Sequence, residues 1–283
     1  PAEAQTTIMS NAIFDPQEAA AYYDGEAISR FYQQCWGGED IHIGRYPTGN
    51  ESLADASADM TRHLLECAGV GEGQTILDIA CGYGGTLRTL AQMGCKVKGI
   101  DISQTCVDYA QQANAEAGLD DRIEVAVGDF HNIDSDDDAW DAVVCQEAII
   151  HSDNRPRVFA EVSRVLRPGG IFALSDIVTG ENAEIPMVEA AFARLGASAG
   201  ATSNDYQQMA RDAGFDIVHA EERPADIRTH YDKLAEMLVE PIPGLDDEAI
   251  AAISQSIGRW QDALAGGHIS WACIDARKPA PAN

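Results

Sequence analysis

The chain has 283 residues, enough for one elaborated domain with a large core, and its 46 Asp and Glu against 19 Lys and Arg give a formal charge of −27. A field of that sign repels phosphate backbones and anionic lipid headgroups, which argues against nucleic acid or a membrane surface as partner. With no apolar run of membrane-spanning length and no basic, apolar-cored leader, a soluble cytoplasmic protein is expected.

Only four of the cations are Lys (96, 98, 233 and 278). Acid excess with scarce Lys resembles the composition of salt-in halophile proteins, where charge is a solvated coat rather than a site, and stability that rises with molar salt is then expected. Seven Cys, an odd number with no C-x-x-C spacing, read as reduced thiols and imply neither disulfides nor zinc.

Residues 1 to about 15 lack periodicity and read as a mobile arm. From Asp15-Pro16, a good helix start, the pattern turns helical through Tyr22, Tyr23, Phe31 and Tyr32. It then meets Cys35-Trp36-Gly37-Gly38-Glu39-Asp40-Ile41-His42-Ile43-Gly44-Arg45-Tyr46. A cap that merely packs explains this aromatic cluster, and so does a lid that closes over a ligand. Residues 1–50 are read as arm and helical lid, and 51–283 as the main domain.

A helix over 54–68 stops at Gly69-Val70-Gly71 and leads to 75–101, the stretch that organises the chain. There the apolar run Ile76-Leu77-Asp78-Ile79 ends on the small-residue turn Ala80-Cys81-Gly82-Tyr83-Gly84-Gly85, and a helix follows with Leu87 and Leu90 inward. A second strand over 97–100 ends on Asp101, and Ser103 caps a helix closed by Gly118. A third strand over 123–127 ends at Gly128-Asp129-Phe130, and a fourth over 142–145 ends at Gln146-Glu147-Ala148. A crossover helix over 153–166 gives way through Arg167-Pro168-Gly169-Gly170 to a fifth strand over 171–175. Such alternation predicts a parallel sheet with helices on both faces and ligands at the strand C-terminal ends, where Asp78, Asp101, Asp129, Gln146 and Asp176 fall. An insertion over about 180–204 is expected to stand over those ends. Beyond it come a helix over 205–213, a strand over 215–220, two helices, and a last strand over 268–276 expected to run antiparallel.

Two nucleotide-type ligands suit this plan. A dinucleotide site needs G-x-G-x-x-G with backbone N–H groups aimed at a pyrophosphate, whereas the turn here follows Asp78, and an acid there suits a cationic amino-acid end better. The order resembles motif I of the class I S-adenosylmethionine-dependent methyltransferases, with Ala80 in place of the family's first Gly. The resemblance implies an α/β, Rossmann-like seven-stranded sheet, S-adenosyl-L-methionine as cofactor, S-adenosyl-L-homocysteine as product, and no metal. It implies cofactor contacts from Asp78, Ala80, Gly82, Gly84 and Gln146, the ribose on Asp101 beside Ile102, and the adenine on Asp129 and Phe130.

The strings Tyr22-Tyr23-Asp24, 36–44, Gln146-Glu147-Ala148-Ile149-Ile150-His151 and His268-Ile269-Ser270-Trp271 are together similar to the sarcosine/dimethylglycine N-methyltransferases of glycine betaine synthesis. That group is allied to the phosphoethanolamine methyltransferases. By motif position Tyr23 and His151 match the allied enzymes' Tyr–His pair, which implies a catalytic role: latching the lid, orienting the amine, and, for His151, taking a proton. Trp36 is the candidate for packing near the methyl group. Arg45 is the first candidate for the substrate carboxylate with His42 as helper, and Arg194 is an alternative from the insertion. Rival readings are methylation of another small acceptor (phosphoethanolamine, a sugar hydroxyl, an isoprenoid carbon) and a catalytically silent cofactor-binding module.

Overall fold

The computed structural model describes residues 31–281 except 33, 37, 38, 194, 196, 198 and 240. Residues 16–30 of the helix expected from Pro16, with Tyr23, lie outside the described residues, as does Arg194; Phe31, Tyr32, Gln34 and Cys35 are helical as expected.

Helix α1 (Leu53–Ala68) begins where Ser52 accepts the Asp55 N–H and ends on Gly69 at φ 70, burying Leu53, Met60, Leu64 and Leu65 along one face. The alternating units follow: β1 (Thr75–Asp78), α2 (Gly85–Gln92), β2 (Lys96–Asp101), α3 (Gln104–Glu116), β3 (Ile123–Val127), β4 (Trp140–Gln146), α4 (Arg155–Val165) and β5 (Leu166–Thr179). Then come α5 (Ile185–Phe192), α6 (Ser203–Asp212), β6 (Asp216–Glu222), α7 (Pro224–Met237), α8 (Asp247–Ala265) and β7 (Ile269–Arg277).

The seven strands form one sheet in the order β3-β2-β1-β4-β5-β7-β6. Strand β7 is antiparallel to both β5 and β6, and the remaining neighbours are parallel, as the sequence led us to expect. One core lies against α1, α2, α7 and α8 and includes Trp260 and Trp271; the other, against α4 and α6, includes Phe159, Phe172 and Phe215. Because strand order reverses between β1 and β4, the connections leave a crevice at the C-terminal ends of those strands. No described helix is long and apolar enough to cross a membrane.

Two departures from the sequence reading have physical causes. Arg167-Pro168-Gly169-Gly170 does not precede β5 but bulges within it. The register jumps from Trp140↔Leu166 to Ala142↔Ile171, and the bulge is held by Gly169 N–H donating to the Lys278 carbonyl at 2.8 Å. The far end of β5 runs on to Thr179 because β7 supplies antiparallel partners as far as Ile269. Apolar periodicity cannot reveal either effect, since both depend on the neighbouring strand.

Candidate active site

Residues 39–46 form a strap over the crevice, and each part is pinned by a different element. Ile43 N–H donates to Glu147 Oε1 at 2.8 Å, Gly44 N–H to His230 Nδ1 at 3.0 Å and Tyr46 N–H to Asp226 Oδ1 at 2.8 Å. Glu39 Oε2 lies 3.0 Å from Arg88 Nη2, which joins the strap to α2. A side chain at Gly44 would bring its Cβ to 2.5 Å from the Ala56 Cβ, so the strap sits this close to α1 only with Gly there.

Three residues assigned to the acceptor from the sequence lie on or beside the strap. Trp36 does not line the cavities; it is buried against Tyr32 and His230 with ring centroids 5.1 and 4.8 Å away, and its indole N–H donates to the His42 carbonyl at 3.1 Å. Arg45 does not reach the cavities either, because Asp59 holds its guanidinium at 2.8 Å. His42 faces the smaller cavity, but its nitrogens are engaged by Thr61 Oγ1 and the Ile43 carbonyl, each at 3.0 Å.

Under the strap lies a cavity whose wall includes Ala80, Gly82, Asp101, Ile102, Asp129, Phe130, Gln146, Glu147 and His151. A smaller recess includes Asp40, His42, Asp78 and Thr86. Ile41, Ala80, Gly82 and Gln146 line both, so the two spaces adjoin across one ridge. The cofactor residues named from the sequence thus converge, with one exception. Gly84 lines neither space; it opens α2 at φ 82, and a Cβ there would sit 3.1 Å from the Ala110 Cβ.

The acids at the strand ends are held by backbone donors. Asp101 accepts the Gly82 N–H at 2.8 Å and the Ser103 N–H at 2.9 Å, which fixes its carboxylate against the motif turn. Asp129 Oδ1 accepts the His131 N–H at 2.8 Å. Asp78 is 4% exposed and accepts the Ala80 N–H at 3.2 Å. Burial, with Asp101 and Asp40 nearby, pushes its carboxyl up to about 7. Gln146 receives the Thr86 hydroxyl on Oε1 at 3.3 Å, while its buried Nε2 has no hydrogen-bond partner among the described residues. A ligand acceptor in the adjoining spaces would satisfy that amide.

His151, which lines the cavity, ends the 3₁₀ turn Ile149–His151 and hydrogen-bonds the Leu195 backbone in the segment after α5. Burial, together with the Arg155 guanidinium, pushes the imidazole down to about 4. His151 is therefore neutral near pH 7 and suited to orienting a ligand rather than to holding a proton. Sequence reasoning passed over Glu147. It adopts φ 57, rare for a residue with a side chain, and burial pushes its carboxyl up to about 8. An acid beside the apolar run Ala148-Ile149-Ile150 is the signal that marks it. No Lys or Arg lines either space among the described residues.

A family model for the methyltransferase domain matches residues 77–174. A dimethylglycine N-methyltransferase of Parasynechococcus marenigrum is 33% identical over 267 residues, 92% of this chain and 95% of the relative. A sarcosine/dimethylglycine N-methyltransferase of Halorhodospira halochloris is 32% identical, covering 93% of this chain and 96% of its own length. Among solved structures, a Galdieria sulphuraria protein assigned provisionally as a sarcosine dimethylglycine methyltransferase superposes with a TM-score of 0.83 at 27% identity, covering 90% of this chain and 99% of that one.

Proposed function

We infer the activity from two premises: this chain belongs to the S-adenosylmethionine-dependent methyltransferases, in the group of the sarcosine/dimethylglycine N-methyltransferases, and one cavity joins the family's nucleoside-binding acids to an ionisable acceptor wall. The chain is an N-methyltransferase that converts sarcosine, dimethylglycine or both, with glycine betaine as the end product. The convergence of Asp101, Asp129 and Phe130 with Glu147 and His151 on a single cavity carries this reading.

The residues fit the cofactor. Asp101 suits the ribose hydroxyls, Asp129 the adenine amino group, and Phe130 the ring face. Asp78 suits the ammonium of the amino-acid end, and the orphaned Gln146 amide suits an acceptor on the same ligand. When bound, S-adenosylmethionine supplies a sulfonium methyl for in-line transfer to an amine lone pair. Both substrates are ammonium zwitterions in neutral water, so one proton must leave nitrogen before attack. Glu147, with its carboxyl near 8, is better matched to accept that proton than His151 at about 4. Dimethylglycine then gives a quaternary ammonium, whereas sarcosine gives a product that keeps its N–H. Having taken the proton, Glu147 is neutral during transfer, and only after passing that proton to solvent does its charge stabilise the cationic product. His151 orients the amine, and the strap over 39–46 excludes water from the transfer. Tyr23 remains the proposed partner of His151. Free thiols at all seven Cys suit a reducing cytoplasm.

The test is to incubate labelled S-adenosylmethionine with glycine, sarcosine, dimethylglycine and phosphoethanolamine in molar salt and identify the methylated product. Labelled dimethylglycine or betaine is expected. Label in phosphoethanolamine alone would replace the acceptor, and cofactor binding without turnover on any of them would favour the silent module.

A further inference from the structure

We propose that His131 is a positioning residue that aims both adenine-gripping side chains, Asp129 and Phe130; this rests on the cofactor reading of that pair given above. The backbone N–H and the ring Nδ1 of His131 both meet Asp129 Oδ1, at 2.8 and 2.9 Å. A carboxylate oxygen only accepts, so Nδ1 carries a hydrogen, and in the neutral ring Nε2 is an acceptor. Ser152 meets that need: its Oγ lies 2.7 Å from Nε2 and accepts the Asn154 N–H at 3.1 Å, which leaves the hydroxyl hydrogen for the ring. Ser152 is 1% exposed, so this orientation is held inside the protein. Asp153 Oδ1, at 3.8 Å from Nε2, is the more distant neighbour.

Two donors on one oxygen fix the plane of the carboxylate and leave Oδ2 for the cavity that Asp129 lines. The same imidazole meets the Phe130 ring edge-on with centroids 4.7 Å apart. Its main chain is anchored as well, since Arg157 Nε donates to the His131 carbonyl at 2.9 Å. A local turn would need only the backbone N–H on Asp129. The added imidazole bond decides where the second oxygen points.

The adenine 6-amino group reports on this aim. Binding of S-adenosylhomocysteine is measured calorimetrically against S-inosylhomocysteine, which carries an oxo group there, on the full chain in molar salt. The wild type is expected to prefer the adenosyl ligand by about tenfold or more, the scale of one charge-assisted hydrogen bond. His131→Gln removes the donor at the Nδ1 position while still reaching Ser152, and should bring the two affinities close to equality with the inosyl affinity unchanged. His131→Asn keeps an amide donor at the Nδ1 position and should retain most of the preference. An undiminished preference in His131→Gln, or equal losses for both ligands, overturns the proposal, because a merely structural residue would weaken both alike. If the wild type shows no preference and Asp129→Asn binds as it does, the adenine reading itself falls. If Asp129→Asn abolishes the preference and His131→Gln does not, only the role of His131 falls.

Discussion

The Ile43 backbone N–H donates to the Glu147 carboxyl at 2.8 Å, so the strap over the site is fastened to the group that faces the acceptor. The same contact bears on the protonation of Glu147: burial of the carboxyl favours its neutral form, while the Ile43 N–H favours its charged form. Burial is the larger of the two, and the net result is about 8.

This gives a pH signature for turnover. Below about 8 the fraction of Glu147 able to accept a proton falls tenfold per pH unit, so kcat/KM for dimethylglycine should rise with pH and level off above that value. Glu147→Gln should lower kcat by about 10²-fold or more and remove that inflection. An inflection that survives the substitution would assign it to another group.

Cofactor affinity should have its own limb, set by Asp78. Burial holds this carboxyl up at about 7, but an ammonium ligand binds its charged form. At pH below 7 the proton must leave before binding, so affinity for S-adenosylhomocysteine should fall by up to tenfold per unit as the medium is acidified. Isothermal titration from pH 5.5 to 8.5, as a suggested range of about three units, reads this directly. Asp78→Asn should bind weakly and without that slope.

Arg45 is expected to be silent in catalysis. Its guanidinium is committed to Asp59 at 2.8 Å, and it lines neither cavity. Arg45→Lys should leave the apparent KM for sarcosine and dimethylglycine within about twofold of wild type, as for other substitutions of a half-exposed ion pair. A large rise confined to the acceptor constant would return Arg45 to the site.

Gly44 tests whether the strap must lie where it does. A methyl at this position would meet the Ala56 Cβ at 2.5 Å and the Ala56 carbonyl carbon at 2.8 Å. Gly44→Ala should push the strap outward, costing about 1–3 kcal/mol and weakening the bond from Gly44 N–H to His230. Adding Ala56→Gly should recover part of the lost stability in chemical denaturation, and no recovery would locate the strain elsewhere.

What the sequence made legible follows from how local each signal is. Asp78, Asp101 and Asp129 each close a short apolar run, so strand, turn and acid can be read within a few neighbouring residues. The surroundings of Trp36 and Arg45 are not legible in the same way, because their partners lie far along the chain or on another element: His230 for the indole, Asp59 for the guanidinium. His230 itself was invisible. It lies in α7, and only the fold brings its Nδ1 within reach of the Gly44 N–H and the Tyr46 hydroxyl. Glu147 was hidden for a different reason: its left-handed backbone turns the carboxyl toward the cavity, and residue type alone does not announce that conformation.

Asp275 offers a stability test away from the site. It is 0% exposed in β7, with Oδ2 at 3.3 Å from His219 Nδ1 in the paired strand β6 and neither oxygen in hydrogen-bond geometry with a described donor. Burial, only partly offset by His219 and His63, pushes its carboxyl up to about 6 from an ordinary value of 3.8. Between those two values the folded chain binds more protons than the unfolded one, so this group's contribution to stability falls as pH rises from about 4 to 6. Above 6 the penalty stands in full. Asp275→Asn is isosteric and carries no such penalty, so at pH 8 it should be more stable by on the order of 1–3 kcal/mol, with the difference shrinking toward pH 4. Thermal unfolding of both proteins at fixed molar salt, across that range, measures the difference. A variant that is less stable than wild type at pH 8 would mean that the His219–Asp275 pair stabilises the sheet by more than the burial of its charge costs.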